Sequence, residues 1–127
     1  MLTKLYLKIV VSLLVVLPLF FEVTSQNINP TMSKLVGVDF EVFGRVQGVF
    51  FRKYTQKRGT ELGLKGWCMN TDKGTVVGRL EGEKSKVEEM KNWLRTTGSP
   101  ESAIDEAVFK NEKEISESTF TTFEIKK

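Results

Sequence analysis

From Val36 to Val42 every second residue is apolar: Val36, Val38, Phe40 and Val42 alternate with Gly37, Asp39 and Glu41. A period of two with polar or small residues between predicts a strand with one buried face. After a glycine-containing loop, Phe51, Tyr54, Thr55, Arg58 and Leu62 recur at helical spacing. Gly63 stands where a helix would stop, so a helix is predicted from about Phe50 to Leu62. Leu64 to Asn70 and Thr75 to Glu81 read as two short strands, joined by Thr71-Asp72-Lys73-Gly74 as a hairpin with its glycine at the tight position. Ser85 and Glu88 have capping-box spacing, and Val87, Met90 and Leu94 form an apolar stripe that ends before Gly98-Ser99-Pro100, which predicts a second helix. Ala103 to Lys110 and Thr119 to Lys126 alternate again as two last strands.

The order is β-α-β-β-α-β followed by a fifth strand. Two helices with one apolar stripe each must bury both stripes on one face of the sheet, which predicts an α+β, ferredoxin-like α/β sandwich with an antiparallel sheet. Phe40, Val42, Leu64, Leu80, Val87, Leu94, Ile104, Val108, Phe123 and Ile125 are the expected core, with Trp67 and Trp93 as packing residues. No internal repeat or low-complexity tract interrupts this pattern.

The first 33 residues follow different rules. Met1 to Lys8 carries Lys4 and Lys8, and Ile9 to Phe21 is apolar except for Ser12 and Pro18. That run is shorter than the roughly 17 to 25 residues of a membrane-spanning helix. With the small-residue exit Val23-Thr24-Ser25, it reads as a secretory signal peptide cut near Ser25, followed by a linker over 26–33 and a domain over 34–127. An uncleaved amino-terminal anchor, or initiation at Met32 to give a cytoplasmic product, are the alternatives.

From Lys34 onward, 17 Lys and Arg face 15 Asp and Glu. So mild an excess, without a long basic run, argues weakly for nucleic acid and better for a small anionic ligand. The lone Cys68 cannot form an internal disulfide. The chain has no histidine, which removes the commonest general base and the commonest zinc ligand together.

The candidate chemistry lies between the first strand and the first helix, in Gly44-Arg45-Val46-Gln47-Gly48-Val49-Phe50-Phe51-Arg52. A strand that ends in such a turn and opens a helix leaves amide N–H groups pointing into one concavity at the positive end of the helix dipole. That is an anion site of the phosphate-cradling kind. Gly44 and Gly48 let the backbone approach a ligand closely, and Arg52 can turn its guanidinium back toward the same place. The loop is neither a Walker A nor a GxGxxG sequence. On spacing alone, it is equally an ordinary strand-to-helix turn.

The stretch from Gly44 to Arg52 resembles the first signature of the acylphosphatases, a glycine-x-Val-Gln-Gly-Val loop with an arginine at its end. Gly66-Trp67-Cys68-Met69-Asn70-Thr71-Asp72-Lys73-Gly74-Thr75-Val76, continuing to Gly82, resembles the second. The similarity covers Lys34 to Lys127 and leaves the first 33 residues outside it. It implies the same ferredoxin-like fold, hydrolysis of acyl phosphates to carboxylate and inorganic phosphate, and no metal or cofactor. It further implies that the loop backbone of Gly44, Arg45, Val46, Gln47, Gly48, Val49 and Phe50, together with Arg52, binds the phosphoryl group, and that Asn70 orients the attacking water. The implied partner is a small acyl phosphate, with no nucleic acid and no stable membrane association of the mature domain, and a monomer is expected. Lys126-Lys127 ends the sequence where family members often finish in an aromatic residue.

The chemistry explains why so little machinery suffices. A leaving carboxylate has a conjugate acid of pKa roughly 4 and departs unprotonated. A phosphate monoester expels an alkoxide instead, and the lack of histidine is then a handicap. Three other readings are weaker or less complete. Cys68 lies on a predicted strand outside the glycine loop, which makes a small core residue better than a cysteinyl-phosphate nucleophile. Lys65-Gly66-Trp67 echoes the opening of the RNA-recognition sheet motif, but Met69 and Asp72 stand at its later aromatic positions and the segment falls on the wrong strand. A catalytically silent anion-binding domain would keep the loop without the reaction.

Overall fold

The computed structural model describes residues 34–127. The signal-peptide and linker expectations, over residues 1–33, lie outside the described residues. Seven elements follow in the expected order: β1 (Leu35–Arg45), α1 (Phe51–Glu61), β2 (Lys65–Asn70), β3 (Val76–Glu83), α2 (Lys84–Thr96), β4 (Ala103–Ile115) and β5 (Phe123–Ile125). The sheet order is β4-β1-β3-β2-β5. β1 lies between β4 and β3 and is antiparallel to both, and β2 is antiparallel to β3. β5 joins the edge of β2 in parallel, so the sheet is mixed rather than wholly antiparallel.

Val36, Val38, Phe40 and Val42 of β1 are buried, as are Cys68, Val76 and Leu80 on the neighbouring strands. Val87, Met90 and Leu94 of α2 and Phe51 of α1 close the core from the helix side. α1 packs on β2 and β5, and α2 on β1, β3 and β4. Gly59 permits the first of these contacts, because a Cβ there would lie 2.9 Å from the Phe123 ring.

Several local expectations change. α1 buries Phe51, Thr55 and Gly59, while Tyr54 faces outward. α2 begins at Lys84, so Ser85 is already inside the helix and no side chain caps it; the Lys84 amide donates instead to Lys34 O at 3.1 Å. Ile104 and Ile125 are half-buried against the core. Val108, opposite Glu41 in the ladder, lies on the helix-free face with Trp67 and Val77. β4 runs on to Ile115 across a bulge at which Asn111 is left-handed, with φ 57°. β5 is shorter than the expected Thr119 to Lys126, and Thr119, with the preceding Ser118, donates to the buried Glu81 carboxylate instead of to a neighbouring strand. Among the described residues no helix is long and apolar enough to cross a membrane.

Candidate active site

The ladder places the expected site residues before any side chain is considered. Val42 pairs with Val76, and Val76 with Asn70, so one row crosses β1, β3 and β2. β1 and β2 run in the same direction because each is antiparallel to β3. The loop that leaves β1 at Arg45 therefore starts just beyond the row that carries Asn70, at the same end of the sheet. Arg52 follows in the first turn of α1.

Backbone conformation shapes the loop into a cup. Gly44 has φ 124°, and a Cβ there would collide with Ala103 O and lie 2.7 Å from Asp105 N on β4. Gly48 has φ 76° and Phe50, the residue preceding α1, is left-handed at φ 60°. Val46 points into the core and anchors the loop, while Arg45, Gly48 and Phe50 are exposed, Phe50 by 71%. No side chain caps α1, and no acidic residue sits in its first turn. Among the described residues the amides of Gln47, Gly48, Val49 and Phe50 make no hydrogen bond. Free N–H groups beside a positive helix end attract an anion. Gly48, Phe50 and Arg52 line a cavity of about 390 Å³ at this point. Asn70 does not line the cavity itself.

A polar network ties the loop to the β2–β3 hairpin. Gln47 Nε2 donates to Thr71 O and Thr75 O, both at 2.9 Å. Thr71 Oγ1 and Thr75 Oγ1 are 2.7 Å apart, and Thr75 Oγ1 donates to Glu41 Oε2 at 2.7 Å. Each hydroxyl has one proton. The Thr75 proton goes to Glu41, so Thr71 is the donor to Thr75, and its own oxygen accepts from the amides of Lys73 and Thr75. The hairpin that follows Asn70 is thereby fixed in shape and joined to the cup. Gln47 was expected to contribute only backbone, and Glu41, Thr71 and Thr75 were not expected at the site. The available signal was a long amide side chain in a glycine loop and two threonines bracketing a tight turn.

Asn70 and Cys68 are two apart on β2 and share its helix-facing side. Cys68 Sγ donates to Arg52 O at 3.7 Å, which holds the first turn of α1 over the strand two residues before Asn70. Burial pushes the Cys68 thiol up to about 12, against a smaller downward pull from the Arg52 charge. It is therefore a thiol, not a thiolate nucleophile, at neutral pH. Asn70 Oδ1 is buried and has no hydrogen-bond partner. Native structures rarely leave such an acceptor unmet unless a water, ion or ligand uses it. Among the described residues no group of His, Cys, Asp and Glu is arranged to hold a metal ion.

The family model for Acylphosphatase matches residues 38–125, a span that takes in the loop, Arg52, Asn70 and the Thr71–Thr75 hairpin. Acylphosphatase-1 of Mus musculus is 59% identical over 93 residues, covering 73% of this chain and 94% of the relative. Acylphosphatase-2 of Homo sapiens is 50% identical over 96 residues, covering 76% and 97%. The crystal structure of acylphosphatase from Bacillus subtilis superposes with a TM-score of 0.67 at 29% identity, over 72% of this chain and 99% of that one. Family model, sequence identity and superposed fold agree, and the chain belongs to the acylphosphatase family.

Proposed function

We propose that the domain hydrolyses acyl phosphates to a carboxylate and inorganic phosphate without a metal, using the loop amides from Arg45 to Phe50 and Arg52 as the phosphoryl cradle and Asn70 as the water-positioning group. The observation that carries this reading is the uncapped start of α1, where a glycine-shaped loop brings unused amides beside Arg52. Phosphoryl transfer is largely a matter of positioning and charge stabilisation. Fixed amides and a guanidinium supply stabilisation without reorganising during the reaction. A water that donates to Asn70 Oδ1 satisfies the orphaned acceptor, and the broad χ2 torsion of asparagine lets the carboxamide turn toward that water.

The attacking water forms the new P–O bond as the bond to the acyl oxygen breaks, and the carboxylate leaves with that electron pair. The water proton passes to a phosphoryl oxygen of the substrate. Glu41 is the carboxylate wired to the site, but it faces the helix-free side of β1 and already accepts the Thr75 hydroxyl, so it is not the base. A silent anion-binding domain would share the cradle; the unmet Asn70 acceptor favours hydrolysis. One chain supplies every part of the proposed site, which supports action as a monomer. Residues 1–33 decide the compartment: cleavage near Ser25 means the secretory pathway, and mass measurement of the native amino terminus distinguishes it from initiation at Met32 or a retained anchor.

The test is hydrolysis of benzoyl phosphate by the full chain in excess chelator, with para-nitrophenyl phosphate alongside. Cleavage of the anhydride alone is expected. Failure to cleave it, or cleavage that vanishes with chelator, overturns the reading.

A further inference from the structure

We infer that Glu41, on the face of the sheet opposite the Asn70 side chain, is a positioning residue for the reaction. As the terminal acceptor of the Thr71–Thr75 hydroxyl pair, it holds the turn that follows Asn70 and so keeps the carboxamide in place for the attacking water. The inference rests on the reading of Asn70 as the water-positioning group.

The row Val42–Val76–Asn70 faces the helices, and the next row, Met69–Val77–Glu41–Val108, faces away from them. Thr75 Oγ1 reaches Glu41 Oε2 at 2.7 Å, so the hydroxyl pair lies on the helix-free side. No protein hydrogen bond holds Asn70 Oδ1, so its place depends on the backbone beneath it. The Thr71 amide, which closes the peptide after Asn70, donates to Thr75 O at 2.9 Å. What fixes the turn on one face therefore aims Asn70 on the other.

Counting protons shows why the carboxylate matters. A hydroxyl has one proton and two acceptor sites. Thr71 Oγ1 accepts from the Lys73 amide at 3.2 Å and the Thr75 amide at 3.3 Å, which fills both sites. Its proton can go to Thr75 Oγ1, 2.7 Å away, while the Thr75 proton is turned toward Glu41. A carboxylate only accepts, so it sets this direction without ambiguity.

Without that acceptor the Thr75 proton, in a residue only 4% exposed, turns to Thr71 Oγ1. A third donor then arrives at the Thr71 oxygen, and one of the two turn amides must let go. The displaced Thr71 proton has Thr75 O in reach at 3.4 Å, but that carbonyl already accepts from the Thr71 amide and from Gln47 Nε2. Among the described residues Glu41 is in no ion pair, so the Thr75 hydroxyl is the contact its charge serves.

Three variants separate acceptor, charge and reach at this half-buried position. Glu41→Gln keeps an acceptor oxygen at the same reach and loses the charge. Glu41→Asp keeps the charge and withdraws the oxygen by one methylene, and Glu41→Leu removes both. In the full chain with benzoyl phosphate, Glu41→Asp and Glu41→Leu are each expected to lower kcat by about ten- to hundredfold, the scale of a slightly misplaced group. The inhibition constant of inorganic phosphate should change by less than about threefold in both, and Glu41→Gln should keep kcat within about threefold of wild type. Amide hydrogen exchange gives a readout that needs no turnover: the Lys73 or Thr75 amide should exchange at least about tenfold faster in the Asp and Leu variants and not in the Gln variant.

Wild-type kcat in Glu41→Leu, even with a lowered melting temperature, overturns the inference and leaves Glu41 a stabilising residue. So does a loss of phosphate affinity as large as the loss of kcat, or a Gln variant as slow as the Leu variant. Failure of the wild-type chain to cleave benzoyl phosphate removes the acyl-phosphate reading instead, and the exchange pattern then still accepts or rejects the hold of Glu41 on the turn.

Discussion

The Gln47 side-chain amide donates to the main-chain carbonyl of Thr71 at 2.9 Å, joining the loop between β1 and α1 to the residue that follows Asn70. The same Nε2 group reaches Thr75 O at 2.9 Å, so one carboxamide clamps both ends of the hairpin turn. Gln47 is thus a positioning residue that sets the loop amides relative to Asn70. Two neutral hydrogen bonds contribute about 0.5 to 1.5 kcal/mol each. Gln47→Ala is expected to lower stability by about 1 to 3 kcal/mol in urea unfolding and to weaken inorganic phosphate binding by about tenfold. Gln47→Glu, which cannot donate and brings a negative charge toward the cradle, should weaken phosphate binding further. Unchanged phosphate affinity in Gln47→Ala would reduce the residue to a packing role.

Arg52 and Asn70 should fail in different ways. In the proposed mechanism the guanidinium would act on the phosphoryl charge in both ground and transition states, so Arg52→Ala is expected to lose phosphate binding and turnover together, the latter by at least roughly 100- to 1,000-fold. Water positioning is not used when phosphate alone binds. Asn70→Ala should therefore lose turnover while competitive inhibition by phosphate survives. Steady-state kinetics with and without phosphate make the distinction, and normal turnover in either variant removes its assignment.

Two glycines of the loop carry different burdens. At Gly44 an added Cβ strikes the β4 backbone at Ala103 O, and φ is 124° as well. At Gly48 φ is 76° but nothing lies within 4 Å of the Cβ position. Gly44→Ala is expected to displace β1 from β4 and cost several-fold more stability than Gly48→Ala, for which only the left-handed conformation is at issue, about 1 kcal/mol. Thermal or urea unfolding gives the order. Gly48→Ala should remain folded enough for kinetics and show whether a methyl group at the cup obstructs phosphate.

The fold was legible because its core strands and helices each announce one buried face. Val36 to Val42 reads as a strand at sight, and α2 as an amphipathic helix. Legibility failed where two faces are equally exposed or where polar groups decide. The second half of β4, from Lys110 to Glu114, pairs with the start of β1 at an edge of the sheet and shows no alternation because neither side is buried. The last predicted strand spans Thr119 to Lys126, but the period of two breaks at Thr121-Thr122 and only Phe123 to Ile125 pairs in the sheet, while Thr119 is held by the buried Glu81 carboxylate instead. At the site, the pairing of loop and helix start could be read from glycine spacing. The Gln47 clamp and the Thr71–Thr75–Glu41 relay could not, because they depend on which residues the β1–β3–β2 register brings opposite one another.

Cys68 should be chemically silent in the native protein. Burial raises its thiol to about 12, so at pH 8 almost none is ionised, and no thiol reagent reaches it directly. Labelling is expected only on unfolding, at a rate that tracks urea concentration. In the unfolded chain the thiol ionises near its ordinary value of 9.0. Above that pH the unfolded state binds fewer protons than the native state, so this contribution to stability falls between pH 9 and 12. Rapid stoichiometric labelling of the native enzyme at pH 8 would contradict the burial argument.

Glu81 supplies the opposite pH dependence, far from the reaction. Its carboxylate is 1% exposed, on the helix-free face at the end of β3 away from the loop. Burial works to raise its pKa, but the Thr119 amide at 2.7 Å, Arg79 Nε at 2.9 Å, and the hydroxyls of Thr119 and Ser118 together hold it below the usual carboxylate value. A depressed folded pKa means that the stabilisation is present above the unfolded value of about 4.5 and is lost as pH falls through the native pKa. Glu81→Gln keeps the shape and removes the charge, so it is expected to lower stability at pH 7 by about 1.5 to 3 kcal/mol, the range for hydrogen bonds to a charged group. The difference from wild type should shrink steadily in urea titrations taken from pH 6 toward pH 3. Benzoyl phosphate turnover at pH 7 should stay within about twofold, because no residue of the cradle touches this carboxylate. A stability difference that does not change with acid would mean that Glu81 holds the Ser118–Thr119 segment by shape alone, and that Arg79, still paired with Asp39 at 3.0 Å, draws nothing from its charge.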